Sequence, residues 1–348
     1  MAKEEIKITF KGGGWVLALM GVMLTMMLVW ALYPAIMRTT EISAGDGKDI
    51  ESFAFDLTNL SINQNILVPG MHHRNMSPAL SNPKLLTAEA LASRNNVHRN
   101  KFLVSKDLVV GVTLNGESRV YPLHMLHVHE IVNDTLGGVP IVVSWHWPSG
   151  HIAVHEREPE SHFANSGLIG NGTLLMYELS DVEGGEQLYS PLLSQTVTGD
   201  VQELELIPHE VTSWASWFPR HPQTTSIAPI EGMKKRYRKG NPRIYFSTEK
   251  LYFPVEPMPA DAFNPKTTVI AIETLDSFAV YAINQLVEEA NDEGVFQTSI
   301  DGNLISIEVN DNPLFAVARD ASGKAIPSHR ALWMNWHALH PEAVLQKP

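Results

Sequence analysis

Two ungapped echoes organise this chain. Residues 106 to 126 (KDLVVGVTLNGESRVYPLHML) align with residues 266 to 286 (KTTVIAIETLDSFAVYAINQL) at a constant offset of 160, matching Val109 with Val269, Val112 with Ile272, Val120 with Val280 and Tyr121 with Tyr281. Further on, Trp214, Trp217, His221 and Pro222 match Trp333, Trp336, His340 and Pro341 at an offset of 119. Two echoes in the same order specify two copies of one unit. Both copies are rich in β-branched residues with period-two alternation, the pattern of half-buried strands. The expected body is therefore two related β-rich halves, 66–230 and 245–348, packed together, each a β-meander with one or two short helices. The Trp-x-x-Trp pairs have helical i, i+3 spacing, which puts both rings on one face as core.

A second constraint precedes the repeats. Trp15 to Met37 carries no charge, and at about 1.5 Å per residue it is long enough to cross a hydrocarbon layer of about 30 Å. A cleaved signal peptide is the competing reading, but the run exceeds a signal core and no small-x-small site follows it. Lys3, Lys7 and Lys11 lie before the span and Arg38 alone lies just after it, which favours an inside N-terminus. The fold class expected is a single N-terminal transmembrane α-helix plus a mainly-β (α+β) ectodomain. Its order is a cytoplasmic head at 1–14, a span at 15–37, an exposed linker at 38–65, the first half, a basic connector at 231–244 and the second half. The location expected is a bacterial inner membrane, crossed once, with the bulk periplasmic. The sequence holds no cysteine, so lipidation at cysteine, disulfides and thiol catalysis are excluded. A net charge of −12 argues against a nucleic-acid partner. The connector's KKRYRK at 234–239 reads first as a solvated loop and second as a contact for an acidic partner or anionic lipid.

Chemistry concentrates between Arg119 and Arg157. Pro122 suits the first turn of a short helix. A hairpin follows with arms His129–Asp134 and Val139–Trp147 around Gly137 and Gly138. Alternation puts Ile141, Val143, Trp145 and Trp147 on one face and Val142, Ser144 and His146 on the other. Seven of the 15 histidines lie between His124 and His162. Imidazoles in a thiol-free site favour copper or zinc. The best pair is His129 with His146 across the hairpin, with His124, His127 or His151 as a third ligand; the plainer alternative is hydrogen-bonded histidines in a polar groove. Glu130 and Asp134 stand beside His129, but neither a Gly-x-Ser-x-Gly elbow nor a zincin helix is present. Gly167, Gly170 and Gly172 read as a loop, lacking the context of a dinucleotide site. In the second half, Asn291-Asp292 echoes Asn133-Asp134, while the histidines have no counterpart.

This region resembles the bacterial and archaeal family known as domain of unknown function 3179, whose core reads roughly YPL, then WHEIVNDTxGGxPVxVTYCPLCG. Tyr121-Pro122-Leu123, the run from His129 to Thr135, Gly137-Gly138 and Pro140 carry the likeness. Met76-Ser77-Pro78-Ala79-Leu80 with Asn82-Pro83-Lys84 stands where the family has DGIPALxNPK. The chain departs from the family at Arg74-Asn75-Met76, and at His146-Trp147-Pro148-Ser149 in place of Cys-Pro-Leu-Cys. The resemblance implies the fold from about Ile66 onward and supplies no reaction. Three functions stay open. The first is an accessory or scaffold subunit of a membrane complex, for example in photosynthetic or respiratory electron transfer, with no cofactor of its own. The alternative is a histidine-liganded metal-binding or oxidoreductase ectodomain. The third is an enzyme acting on a small substrate in the groove above the hairpin.

Overall fold

The computed structural model describes residues 14–40, 44–98, 101–179, 186–237 and 243–347, and in the first helix no side chain beyond Trp30. The chain divides into two compact units, 1–43 and 44–348. In the first, helix α1 runs Gly14–Thr40, and its large apolar side chains such as Trp15, Met23, Met27 and Trp30 are exposed. Among the described residues no helix is both long and apolar enough to cross a membrane. Apart from Gly14, the predicted head lies outside the described residues.

In the second unit, alternating apolar residues build a mainly-β body whose described strands form four sheets. Strands β1 (Leu67–Pro69), β2 (Leu80–Ser81) and β3 (Leu85–Leu86) and helix α2 (Ala88–Asn95) lead into the first repeat. There β4 (Leu108–Leu114) pairs with β5 (Glu117–Pro122), helix α3 (Leu123–His129) follows, and β6 (Ile131–Leu136), β7 (Val139–His146) and β8 (His151–Glu156) form an antiparallel meander. Pro122 is the residue before α3, with φ −64°, one position earlier than its predicted place. Gly137 and Gly138, at φ +57° and +81°, make the two-residue turn that a right-twisted hairpin favours.

A further sheet of β1, β9 (Phe163–Gly170), β10 (Thr173–Glu178), β11 (Leu188–Ser190) and β12 (Gln195–Thr196) follows. Gly167 and Gly170, predicted as loop, belong to β9, because that segment bonds to β1 on one side and β10 on the other. Then β13 (Glu210–Ser213) pairs with β4, helix α4 (Trp214–Arg220) packs beneath, and β14 (Thr225–Ile227) runs parallel to β5. Short helix α5 (Lys234–Tyr237) falls in the connector, and α6 (Arg243–Phe246) straddles its expected end at residue 244.

The second repeat retraces the first. β15 (Thr268–Glu273), β16 (Phe278–Ala282) and helix α7 (Ile283–Glu289) precede a meander of β17 (Val295–Ile300), β18 (Asn303–Asp311) and β19 (Leu314–Arg319). β20 (Ser328–Leu332) pairs with β15, helix α8 (Trp333–Leu339) follows, and β21 (Leu345–Gln346) runs parallel to β16. The orders β13-β4-β5-β14 and β20-β15-β16-β21 therefore match. Within the meander β17 occupies the place of β6, so Asn291-Asp292, which precedes β17, is not the counterpart of Asn133-Asp134. The meander of one repeat meets the sheet of the other. β8 pairs with β20 at Ile152 and Arg330, and Glu210 of β13 takes Arg319 of β19 in an ion pair.

Trp214, Trp217, Trp333 and Trp336 are all buried on their helices. The Trp217 ring lies over Gly111, where an added Cβ would sit 2.3 Å from ring carbons. Gly111→Ala is expected to destabilise the body by about 2 kcal/mol, read by urea unfolding; an unchanged midpoint would contradict this packing.

One expectation fails here. The predicted linker at 38–65 is exposed only in part, since from Ala44 the chain belongs to the second unit. Phe53 and Phe55 are buried against Leu168, Leu175 and Tyr177, and Arg74 stacks on Phe55 at 3.5 Å. Burying two phenylalanines outweighs the polar composition of the segment.

Candidate functional site: a buried glutamate beside a cleft

The six residues from His129 to Asp134 divide into structural and unassigned members. His129 ends α3 rather than opening a strand. Its Nδ1–H donates to Pro78 O at 2.9 Å, and its Nε2 accepts from Tyr237 Oη at 2.9 Å. Asn133 pairs with the backbone of Phe163, donating to its carbonyl and accepting from its N–H, each at 2.8 Å. Asp134 accepts from Arg119 Nη1 at 2.7 Å and Tyr121 Oη at 2.9 Å, all three side chains buried. Removing one partner of a buried ion pair strands the other charge. Asp134→Ala is accordingly expected to cost on the order of 3 kcal/mol in chemical denaturation, and a loss within the error of the wild type would rule the pair out as a structural clamp.

The expected His129–His146 pairing across the hairpin is replaced by separate partners. His146 ends β7 opposite His151, donates from Nδ1 to Ser149 Oγ at 2.9 Å, and Ser149 Oγ donates to His146 O. The two positions that stand for the family's cysteines thus touch each other. His124 meets Phe102 and Tyr237 edge-on. His151 Nε2 lies 3.3 Å from His329 Nδ1, with the rings stacked. His155 bonds Ser194 Oγ and His209 bonds Ile207 O. Burial drives His146 and His155 down to about 3, and it lowers His151, His209 and His329 as well. These imidazoles are neutral core groups at the join between the repeats. His209 and His329 arrive from β13's entry and from β20, far from the sequence cluster, and no local signal marks them. Among the described residues, no group of three or more His, Asp or Glu side chains is arranged to hold a metal ion.

Glu130 is the unassigned member. It stops α3 at φ 58°, ψ −31°, a left-handed conformation that costs a residue with a Cβ about 1–3 kcal/mol. Its N–H bonds Leu126 O and its carbonyl takes Trp145 N at 2.7 Å, which hold it in that conformation. The carboxyl is buried, and Oε2 accepts from Asn165 Nδ2 at 2.6 Å. Asn165 is itself aimed by Gly167 N–H bonding its Oδ1. No cation pairs with Glu130 among the described residues. Burial raises its pKa to about 8, which hydrogen bonds from Ser77 and Asn165 offset only in part. This carboxyl lies at a cleft of about 510 Å³, within the size range of small-molecule sites. Met71, Met76, Val128 and Trp147 give the cleft apolar walls, and His72, Ser77, His127 and Arg236 are its polar groups. Trp145 Nε1 donates to His127 Nδ1 at 3.0 Å, so the proton of the neutral ring is on Nε2; burial lowers His127 to about 4. A buried acid without a counter-ion, in a strained conformation, beside polar groups that converge on a cleft, is the arrangement that acid–base and ligand sites use.

Glu130 stands beside His129 in the sequence, where nothing local gives it a role. Its position in the HEIVND run is the available signal, whereas the cleft depends on the approach of the 44–77 segment. No curated protein and no solved structure gives a significant match to this chain. A family model described as protein of unknown function (DUF3179) matches residues 74–343, a range that includes Ser77, Glu130, Asn165 and Arg236. The chain belongs to that family.

Proposed function

We propose that this protein binds a small polar molecule in the cleft over Glu130 and exchanges a proton with it through that carboxyl. Of the three functions open from sequence, this is the third, and one observation carries it: a buried, strained carboxyl with no counter-ion among the described residues is costly to keep, and it belongs to a residue that lines a cleft. Asn133 and Asp134 serve folding through the Phe163 backbone and Arg119; Glu130 has neutral hydrogen-bond partners but no cation among the described residues. A thermal-shift screen of polar metabolites on the detergent-solubilised full chain tests the reading. Stabilising compounds should lose their effect in Glu130→Ala. Compounds that stabilise both proteins equally would place the ligand elsewhere and defeat it.

The setting we propose is a single-pass membrane protein, N-terminus inside and bulk periplasmic, that serves as an accessory subunit of a membrane complex. Supporting this, α1 has 27 residues, about 40 Å of helix, and exposed apolar side chains among those described between Trp15 and Trp30. The uncharged run continues in sequence to Met37. The two matching strand orders fit an internal duplication of the body. Alkaline carbonate should leave the chain in the membrane pellet, and mild detergent should release it with partner subunits; migration as a lone monomer would count against the accessory role. A histidine-held copper or zinc ion stays an alternative that requires His129 or His146 to exchange its present hydrogen bonds for the metal, and elemental analysis of chelator-free protein decides it.

A further inference from the structure

Resting on the reading of the cleft as a ligand site, we propose that its ligand is a small organic anion, a carboxylate on a short apolar body, bound against Arg236 and His127. The charge inventory of the cleft carries this. Glu130 is the sole acid among its lining residues, and Arg236 makes no ion pair among the described residues. With the carboxyl protonated, the cleft presents one guanidinium and no negative charge, on a chain whose net charge is −12.

The donors converge by construction. Tyr237, next to Arg236, is pinned by its bonds with His129 and with Ile230 N, which seats α5 beside α3 and brings Arg236 to the cleft. His127 presents Nε2–H because Trp145 occupies Nδ1. Guanidinium and imidazole N–H groups are charge-assisted or neutral donors to a carboxylate. Met71, Met76, Val128 and Trp147 leave room for an apolar body a few carbons long. Arg236 of the connector's basic run thus gains a role that composition does not reveal.

The same geometry sets a pH dependence. The titratable or charged groups that share the cleft with Glu130 are His72 from the 44–77 segment, His127 on α3 and Arg236 on α5; from β9 it meets neutral Asn165. Ionising Glu130 places a second negative charge beside the bound anion, so affinity falls as the carboxyl loses its proton.

Isothermal titration of the full chain in detergent, with benzoate as the anionic probe and benzyl alcohol as its uncharged counterpart, tests the inference. Benzoate should bind and benzyl alcohol should bind at least about tenfold more weakly. Benzoate affinity should drop about tenfold between about pH 7 and about pH 9, and this drop should vanish in Glu130→Gln. Arg236→Gln, at an exposed position, should weaken benzoate about tenfold without a change in unfolding midpoint. Absence of saturable benzoate binding, or a pH dependence that survives in Glu130→Gln, overturns the proposal. If benzyl alcohol binds in place of benzoate, the anion inference falls and the cleft stands as a ligand site. If neither binds and Glu130 is ionised at neutral pH, both fall.

Discussion

Replacing Glu130 with glutamine raises the stability of the folded body by on the order of 3 kcal/mol at neutral pH. The free carboxyl titrates at 4.5 and the folded one at about 8. A group whose folded pKa is raised adds nothing unfavourable below 4.5, where both states are protonated. Between 4.5 and about 8 the unfolded chain ionises while the folded chain holds its proton, so stability is lost as pH rises, reaching about 5 kcal/mol above that window. Glutamine keeps the shape and a polar end for Asn165 but carries no charge. Its gain should therefore be absent near about pH 4, large at neutral pH and largest in mild alkali. Urea unfolding of wild type and variant across that range reads it directly, and a variant less stable than wild type at neutral pH would mean that the carboxylate is structural. Stability given up at one residue is a common mark of a working site.

Acid acts in the opposite direction through the buried histidines. His146 and His155 titrate at about 3 when folded against 6.5 when free, so their contribution is complete above 6.5 and lost as pH falls below it. At about pH 5 each costs about 2 kcal/mol, together about 4 kcal/mol, and His151, His209 and His329 add to the loss in the same direction. In the wild type, relief of the Glu130 penalty over the same interval offsets part of this. The Glu130→Gln variant lacks the offset and should lose stability more steeply between about pH 7 and about pH 5 than the wild type. Parallel curves for the two proteins would contradict the opposed roles of Glu130 and the histidines. The join between the repeats, where His151 and His329 stack, is expected to open first, visible as loss of amide protection in β8 and β20.

What the sequence disclosed and what it withheld follow from the range of the interactions. Alternation of Val109, Val112 and Val120 and their echoes is local, so β4, β5, β15 and β16 were legible. The Gly137-Gly138 turn was legible for the same reason. Starting the first arm at His129 is off by two residues, because Glu130 takes a left-handed conformation that turns α3 directly into β6, and nothing in its side chain announces this. The sheet containing β9 to β12 interrupts the first repeat without a counterpart in the second, which no offset can reveal. The histidines looked like one cluster because seven lie close in sequence, yet β20 and the approach to β13 supply two members of the buried group, and α3 takes His124, His127 and His129 elsewhere. Contacts across more than a hundred residues, such as Tyr237 with His129, decide which polar residues share a cleft.

The most direct measurement is the titration of the Glu130 side chain itself, by carbon-13 NMR of glutamate-labelled full chain, with Glu130→Gln used to assign the signal. The carboxyl should be protonated at neutral pH, with a midpoint near about 8, and should shift when benzoate is added. A carboxylate already ionised at neutral pH and indifferent to the anion would contradict the account.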